Sequence, residues 1–168
     1  GALANEVLAI FQANGLDGLC LHCLPAKLHN TPNLIPDAVR QAIHRWRPKV
    51  ARIVVAYADC GTGGMLDRVC AEEGVERIPG PHCYQFFTGT ADFEAIAEEN
   101  PARFYLTDFL ARHFDTLVWQ GMGMDRHPEL RDMYFGNYDS VLYLAQTDDP
   151  ELDAKARAAA ERLGLAYE

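Results

Sequence analysis

Three cysteines stand at or just past segments that read as extended: Cys23 in LCLHCLPAKLHN, Cys60 in VVAYADCGTGG and Cys83 in RIPGPHCYQFF. In an open α/β sheet the carboxyl ends of the strands form the edge where ligands bind, so residues distant in sequence can converge there. Thiolate sulfur is a soft donor that holds zinc and iron–sulfur clusters, and the metal in turn keeps it deprotonated. Three thiolates leave a tetrahedral ion or a four-iron cluster one ligand short, a position that a fourth residue fills or that stays open for chemistry. His82, His29 and His22 are candidates for it, and His82 is placed in the ligand set beside Cys23, Cys60 and Cys83. The cysteines lie tens of residues apart with no C-x-x-C pair, so their convergence depends on the fold. Scattered buried cysteines are the alternative.

The turn Cys60-Gly61-Thr62-Gly63-Gly64 follows a strand pattern and opens a helix pattern, so its backbone N–H groups are placed to cradle an anion at the positive helix end. It is not a P-loop, because no Gly-Lys-Ser/Thr follows, and Leu66 stands where the last glycine of G-x-G-x-x-G belongs. The same helix end would lower the Cys60 pKa, which makes Cys60 a candidate catalytic nucleophile without any metal, with a nearby histidine as base. A third reading is a non-catalytic module that docks through aromatics such as Trp119, Tyr134 and Tyr138. Asp125-Arg126-His127 begins like the D-x-H-x-x-G loop of cobalamin-binding domains but fails at Leu130, so His127 reads as a helix-start or surface residue. Cys20, in an apolar run, and Cys70, inside a helical pattern, read as small buried hydrophobes.

The elements that must position these residues alternate. Helical stripes run over 2–13, 37–46, 65–73, 92–99, 107–114, 127–135 and 151–163, with Thr107 and Asp148 or Asp149 as caps. Extended runs cover 16–24, 52–57, 75–78, 104–106 and 141–145; RIVVAY at 52–57, rich in β-branched residues, reads as the buried centre of the sheet. Alternation of this kind predicts an α/β fold, a doubly wound, mainly parallel and Rossmann-like sheet with helices on both faces.

The chain's 168 residues, 49% hydrophobic and 23% charged, suit one domain over 1–168. A net charge of −9 without any Lys/Arg run argues against nucleic-acid or anionic-membrane surfaces. No run approaches the roughly 20 apolar residues that cross a bilayer, and no signal peptide is recognisable, so cytoplasm is the expected location. Five cysteines in such a chain read as reduced thiols rather than a disulfide framework. Oligomeric state is not readable from the sequence.

CLPAKLHN at 23–30, YADCGTGG at 57–64, GPHCYQFF at 80–87, FYLTDFLARHFD at 104–115 and the FGNY and QTDDP segments together resemble the domain-of-unknown-function family 1638. That resemblance implies an α/β protein in corrinoid-linked one-carbon metabolism, with Cys23, Cys60 and Cys83 as the matching cysteines. A corrinoid protein or methyltransferase would be its partner, so the corrinoid itself would be met only indirectly. The resemblance also implies a fragment that lacks an N-terminal strand with a further cysteine and a C-terminal extension. The function expected is metal binding, zinc or iron–sulfur, in the service of methyl transfer.

Overall fold

The computed structural model describes residues 3–168, which divide into two compact units, one running to Cys83 and the other from Tyr84 to Glu168. The class is α/β, as the alternation predicts, and every strand pairing is parallel. The strands fall into two small sheets, of two and three strands.

In the first unit, helix α1 (Ala4–Ala13) buries none of its residues and leaves Leu8 and Ile10 exposed. Residues 16–24 are not a strand: they form turns and irregular chain, with Leu16 and Leu19 exposed. An apolar run becomes a strand only where a neighbour takes its backbone groups, and Asp17-Gly18 turns the chain before that can happen. Two 3-10 turns, Ala26–Asn30 and Pro32–Leu34, lead into helix α2 (Ile35–Trp46), which buries Ile35, Val39 and Ile43 at successive turns. Against them pack Leu66 and Cys70 of helix α3 (Met65–Glu73) and Val55. Glu73 ties the two helices together by accepting from Arg40, His44 and Arg47. Cys70 is thus the buried hydrophobe expected, whereas Cys20 is exposed.

Strand β1 (Val54–Val55) pairs in parallel with β2 (Glu76–Arg77), Val54 opposite Glu76. RIVVAY is therefore not the doubly covered centre of a large sheet. Only two of its residues pair, and Val54 is 55% exposed. What matters for function is that both chains leave the same edge of this sheet, β1 into Tyr57–Gly64 and β2 into Ile78–Cys83.

The second unit runs α4 (Gln85–Thr88), α5 (Thr90–Glu99), β3 (Arg103–Thr107), α6 (Asp108–Arg112), a π-helical turn (Asp115–Trp119), α7 (Leu130–Phe135), β4 (Ser140–Leu144), α8 (Pro150–Leu163) and β5 (Ala166–Tyr167). Strand β4 is central, with Arg103 opposite Ser140 on one side and Ala166 on the other. Ala156, Ala159 and Ala160 let α8 come close to Leu106, Val141 and Phe135 in the core. Both expected caps form: Asp149 accepts from the Glu151 and Leu152 amides, and Thr107 Oγ1 from Leu110. Beyond β3 and β4 the buried Asp108 carboxylate accepts from Tyr143 Oη (2.7 Å), Thr147 Oγ1 (2.6 Å) and the Gln146 amide (3.1 Å). Of the three aromatics considered for docking, Tyr134 is exposed. Trp119 and Tyr138 pack against the core.

Candidate metal centre

The segment Tyr57-Ala58-Asp59-Cys60 leaves β1 and immediately makes a tight reversal. Cys60 has φ +50°, a conformation that costs a non-glycine residue roughly 1–2 kcal/mol. Gly61, Gly63 and Gly64 continue with positive φ, which is why this turn is glycine-rich. The strained geometry is held from two sides. Asp59 and Cys60 donate their N–H groups to the carbonyls of Gly80 and Pro81, each at 2.9 Å, which zips this turn to the loop carrying Cys83. The Asp59 carboxylate reaches forward and accepts from Thr62 Oγ1 (2.5 Å), Gly64 N (2.9 Å) and Gly63 N (3.1 Å).

Those bonds engage part of the expected anion cradle of Gly61, Thr62, Gly63 and Gly64. The amides of Gly63 and Gly64 are already used by the chain's own carboxylate, and Thr62 is buried beneath it. Burial works to raise the Asp59 pKa. The Thr62, Gly64 and Gly63 bonds and the charge of Arg77 outweigh it, so Asp59 stays below the usual carboxylate range. Its negative charge sits where an external anion would have to go.

The Cys83 loop has its own brace. Arg77 forms a fork onto Asp67, Nε to Oδ1 at 2.5 Å and Nη2 to Oδ2 at 2.8 Å, and turns Nη1 to the carbonyls of Ile78 (2.7 Å) and Gly80 (3.3 Å). The loop before α2 closes the third side. Pro32 lies so near Gly61 that a methyl placed on that glycine would touch its ring at 3.6 Å. This brings in His29, whose Nδ1 is 3.3 Å from the Ala26 carbonyl and whose ring also hydrogen-bonds to Cys83. One nitrogen anchored to backbone while the ring faces the sulfurs is how metal-ligating imidazoles are commonly oriented.

The result is a compact donor set. Cys60 Sγ and Cys83 Sγ are 3.1 Å apart, and one nitrogen of His29 and the two sulfurs all lie within 4.8 Å of one another. With Zn–S of about 2.3 Å and Zn–N of about 2.0 Å, tetrahedral ligands stand roughly 3.5–3.8 Å apart, so opening the sulfurs by about 0.7 Å brings them to the spacing of two ligands on one ion. The structure thus brings together two of the three expected cysteines and replaces His82 by His29. Cys23 and His82 stand outside the group, both exposed.

Protonation follows from the geometry. The Cys60 thiol donates to Cys83, and this bond, the His29 ring and the Ala58 N–H together overcome burial and hold the Cys83 pKa well below that of an ordinary thiol. For Cys60 the same bond works in reverse: the sulfur anion on Cys83, burial and the Asp59 carboxylate push its pKa up. The Asp59 carboxylate thus works against the thiolate expected at Cys60 from the helix end. Tyr57 lies alongside, its ring stacked on His29 at 5.6 Å and 18°. Burial, followed by the charges of Cys60, Cys83 and Cys23, pushes its pKa up to about 12. Sequence reasoning missed Tyr57, Asp59 and Arg77. The Asp that precedes a glycine-rich turn was the available signal for the second.

The chain belongs to the family described as a protein of unknown function (DUF1638), whose model matches residues 23–168 and so takes in Cys23, His29, Cys60 and Cys83. No curated protein and no solved structure is matched. No helix among the described residues is long and apolar enough to cross a membrane.

Proposed function

We propose that this member of the DUF1638 family binds one metal ion, zinc by the character of its donors, through Cys60, Cys83 and His29. The observation that carries the reading is the pair of sulfurs 3.1 Å apart with His29 completing a triangle within 4.8 Å. Three protein ligands with a fourth position left to an exogenous molecule is the pattern of catalytic rather than structural zinc. A four-iron cluster fits less well, because its cysteines bind separate irons and stand farther apart than two ligands of one ion. When bound, zinc supplies Lewis-acid activation of a thiol or water nucleophile. The role we infer is a cytoplasmic one in corrinoid-dependent methyl transfer, with a corrinoid protein or methyltransferase as partner. Its support is the family resemblance together with a soft donor set suited to holding a thiolate nucleophile.

The test is metal analysis of anaerobically purified protein. One zinc per chain is expected, lost in Cys60→Ser and Cys83→Ser and kept in Cys23→Ser, Cys20→Ser and Cys70→Ala. Iron with sulfide, or zinc that survives both site substitutions, overturns it. The depressed Cys83 thiol supports a second reading, a metal-free enzyme whose nucleophile is Cys83 in place of Cys60. It requires iodoacetamide at mildly acidic pH to label Cys83 first, with activity independent of chelators.

A further inference from the structure

The hydroxyl of Tyr57 is unexplained by the fold. Its oxygen is buried and has no hydrogen-bond partner among the described residues. Everything else about this side chain is accounted for, because the ring stacks on His29 and packs against the core of Val39, Ile43, Val55 and Leu66. Phenylalanine would do both equally well. A buried hydroxyl without a partner carries a desolvation cost that native proteins seldom leave unmet. The surroundings say what meets it. Its residue lies three positions before Cys60, and its ring is stacked on that of His29. Its O–H is therefore a buried donor without a partner among the described residues, carried by a ring stacked on His29 of the donor set.

We propose that Tyr57 is a further functional residue of this centre, whose hydroxyl donates a hydrogen bond to a small anionic ligand at the coordination position that His29, Cys60 and Cys83 leave open. The inference rests on the metal-site reading above and adds to it the class of ligand. An anion is the partner that a charge-assisted donor favours most, and a bond of this kind acts only when the ligand is bound. Tyr57 then contributes to ligand affinity without contributing to metal affinity.

The test uses the protein loaded with cobalt(II), whose visible spectrum reports both the metal and its fourth ligand, with azide as the probe. Tyr57→Phe is expected to bind one cobalt with unchanged affinity and to bind azide about tenfold or more weakly than the wild type. Equal azide affinity in the two proteins overturns the inference, as does loss of cobalt binding in Tyr57→Phe alone, which would make the residue a structural support of the site. If wild-type protein takes up no cobalt, the underlying metal reading is what fails. Should Tyr57→Phe not fold, fluorotyrosine at position 57 provides the converse measurement. Its stronger O–H donor should tighten azide binding, and an unchanged affinity again overturns the inference.

Discussion

Replacing Arg77 by methionine tests whether the centre depends on the brace behind the Cys83 loop. Methionine keeps most of the apolar stem and removes only the guanidinium, so the losses can be taken bond by bond. The ion pair with Asp67 contributes little: Asp67 is 55% exposed, water replaces its partner, and such a pair is worth about 0–1 kcal/mol. The larger effect lies on the other side. The Arg77 side chain is only 13% exposed, and its Nη1 serves two half-buried carbonyls, Ile78 at 2.7 Å and Gly80 at 3.3 Å. Hydrogen bonds from a charged donor are worth about 1.5–3 kcal/mol each, but Gly80 keeps its bond from Asp59, so one such bond, that of Ile78, sets the scale. The expected destabilisation is about 2 kcal/mol in urea unfolding of the metal-free protein, seen as a lower midpoint with unchanged slope.

The same substitution should weaken zinc binding, measured by competition with a chromophoric chelator, because Cys83 is presented by the loop that Arg77 anchors. The bonds from Asp59 and Cys60 to Gly80 and Pro81 remain, so binding is weakened rather than abolished. Zinc should restore part of the lost stability, since binding to the folded state alone shifts the equilibrium toward it. A midpoint within experimental error of the wild type would show that water replaces the guanidinium freely. Normal zinc affinity with lowered stability would show that the loop is set by the two backbone bonds alone. Either result refutes the argument that Arg77 positions Cys83.

In the second unit, Asp108→Asn should cost about 2–3 kcal/mol at neutral pH, because a buried carboxylate that accepts from Tyr143, Thr147 and the Gln146 amide is exchanged for a group with one acceptor and one misplaced donor. The dependence on pH gives a second check. Burial alone would raise the Asp108 pKa, but the bonds from Thr147, Tyr143 and Gln146 lower it on balance, so its contribution is complete above the ordinary carboxyl range and is lost as pH falls through the depressed value. The stability difference between wild type and Asp108→Asn should therefore narrow in acid, and a difference constant from pH 7 down to pH 3 would sink the explanation.

How far the fold was legible in the sequence depends on the range of the interactions that decide it. Helices 65–73 and 150–163 announce themselves through spacing, a glycine stop and, for the second, Asp149, all contained within one element. Ser140–Leu144 is a strand because its apolar run meets neighbours on both sides. The run at 16–24 is also rich in apolar residues, but Asp17-Gly18 turns the chain within it and no strand pairs with it among the described residues. The site divides in the same way. Cys60 and Cys83 end up together because they follow adjacent parallel strands, which the alternation of elements allows one to expect. His29, one of three candidate histidines in the sequence, reaches the sulfurs from a separate 3-10 turn, a long-range contact that no local pattern announces. The choice of His29 over His82 was beyond any argument from spacing.

Three features of the first unit have one common explanation. A cysteine is held in a left-handed conformation that glycine would adopt without strain, a histidine is anchored by one nitrogen with its ring toward two sulfurs, and a tyrosine hydroxyl is buried unpaired beside them. A metal-free nucleophile accounts for the histidine and the depressed Cys83, yet it needs neither the strained Cys60 nor the orphaned hydroxyl. A merely structural pair of buried thiols needs none of the three. One ion on Cys60, Cys83 and His29 uses all of them. The strain turns Cys60 toward Cys83, the anchored ring faces the ion, and the hydroxyl waits for whatever occupies the position the protein does not fill. Backbone strain is retained when the surrounding bonds over-determine it, as those to the Asp59 carboxylate and to the Pro81 carbonyl do at Cys60. Loss of metal in Cys60→Ser and loss of azide affinity in Tyr57→Phe are then separate consequences of one geometry, the first through the ion and the second through its fourth ligand.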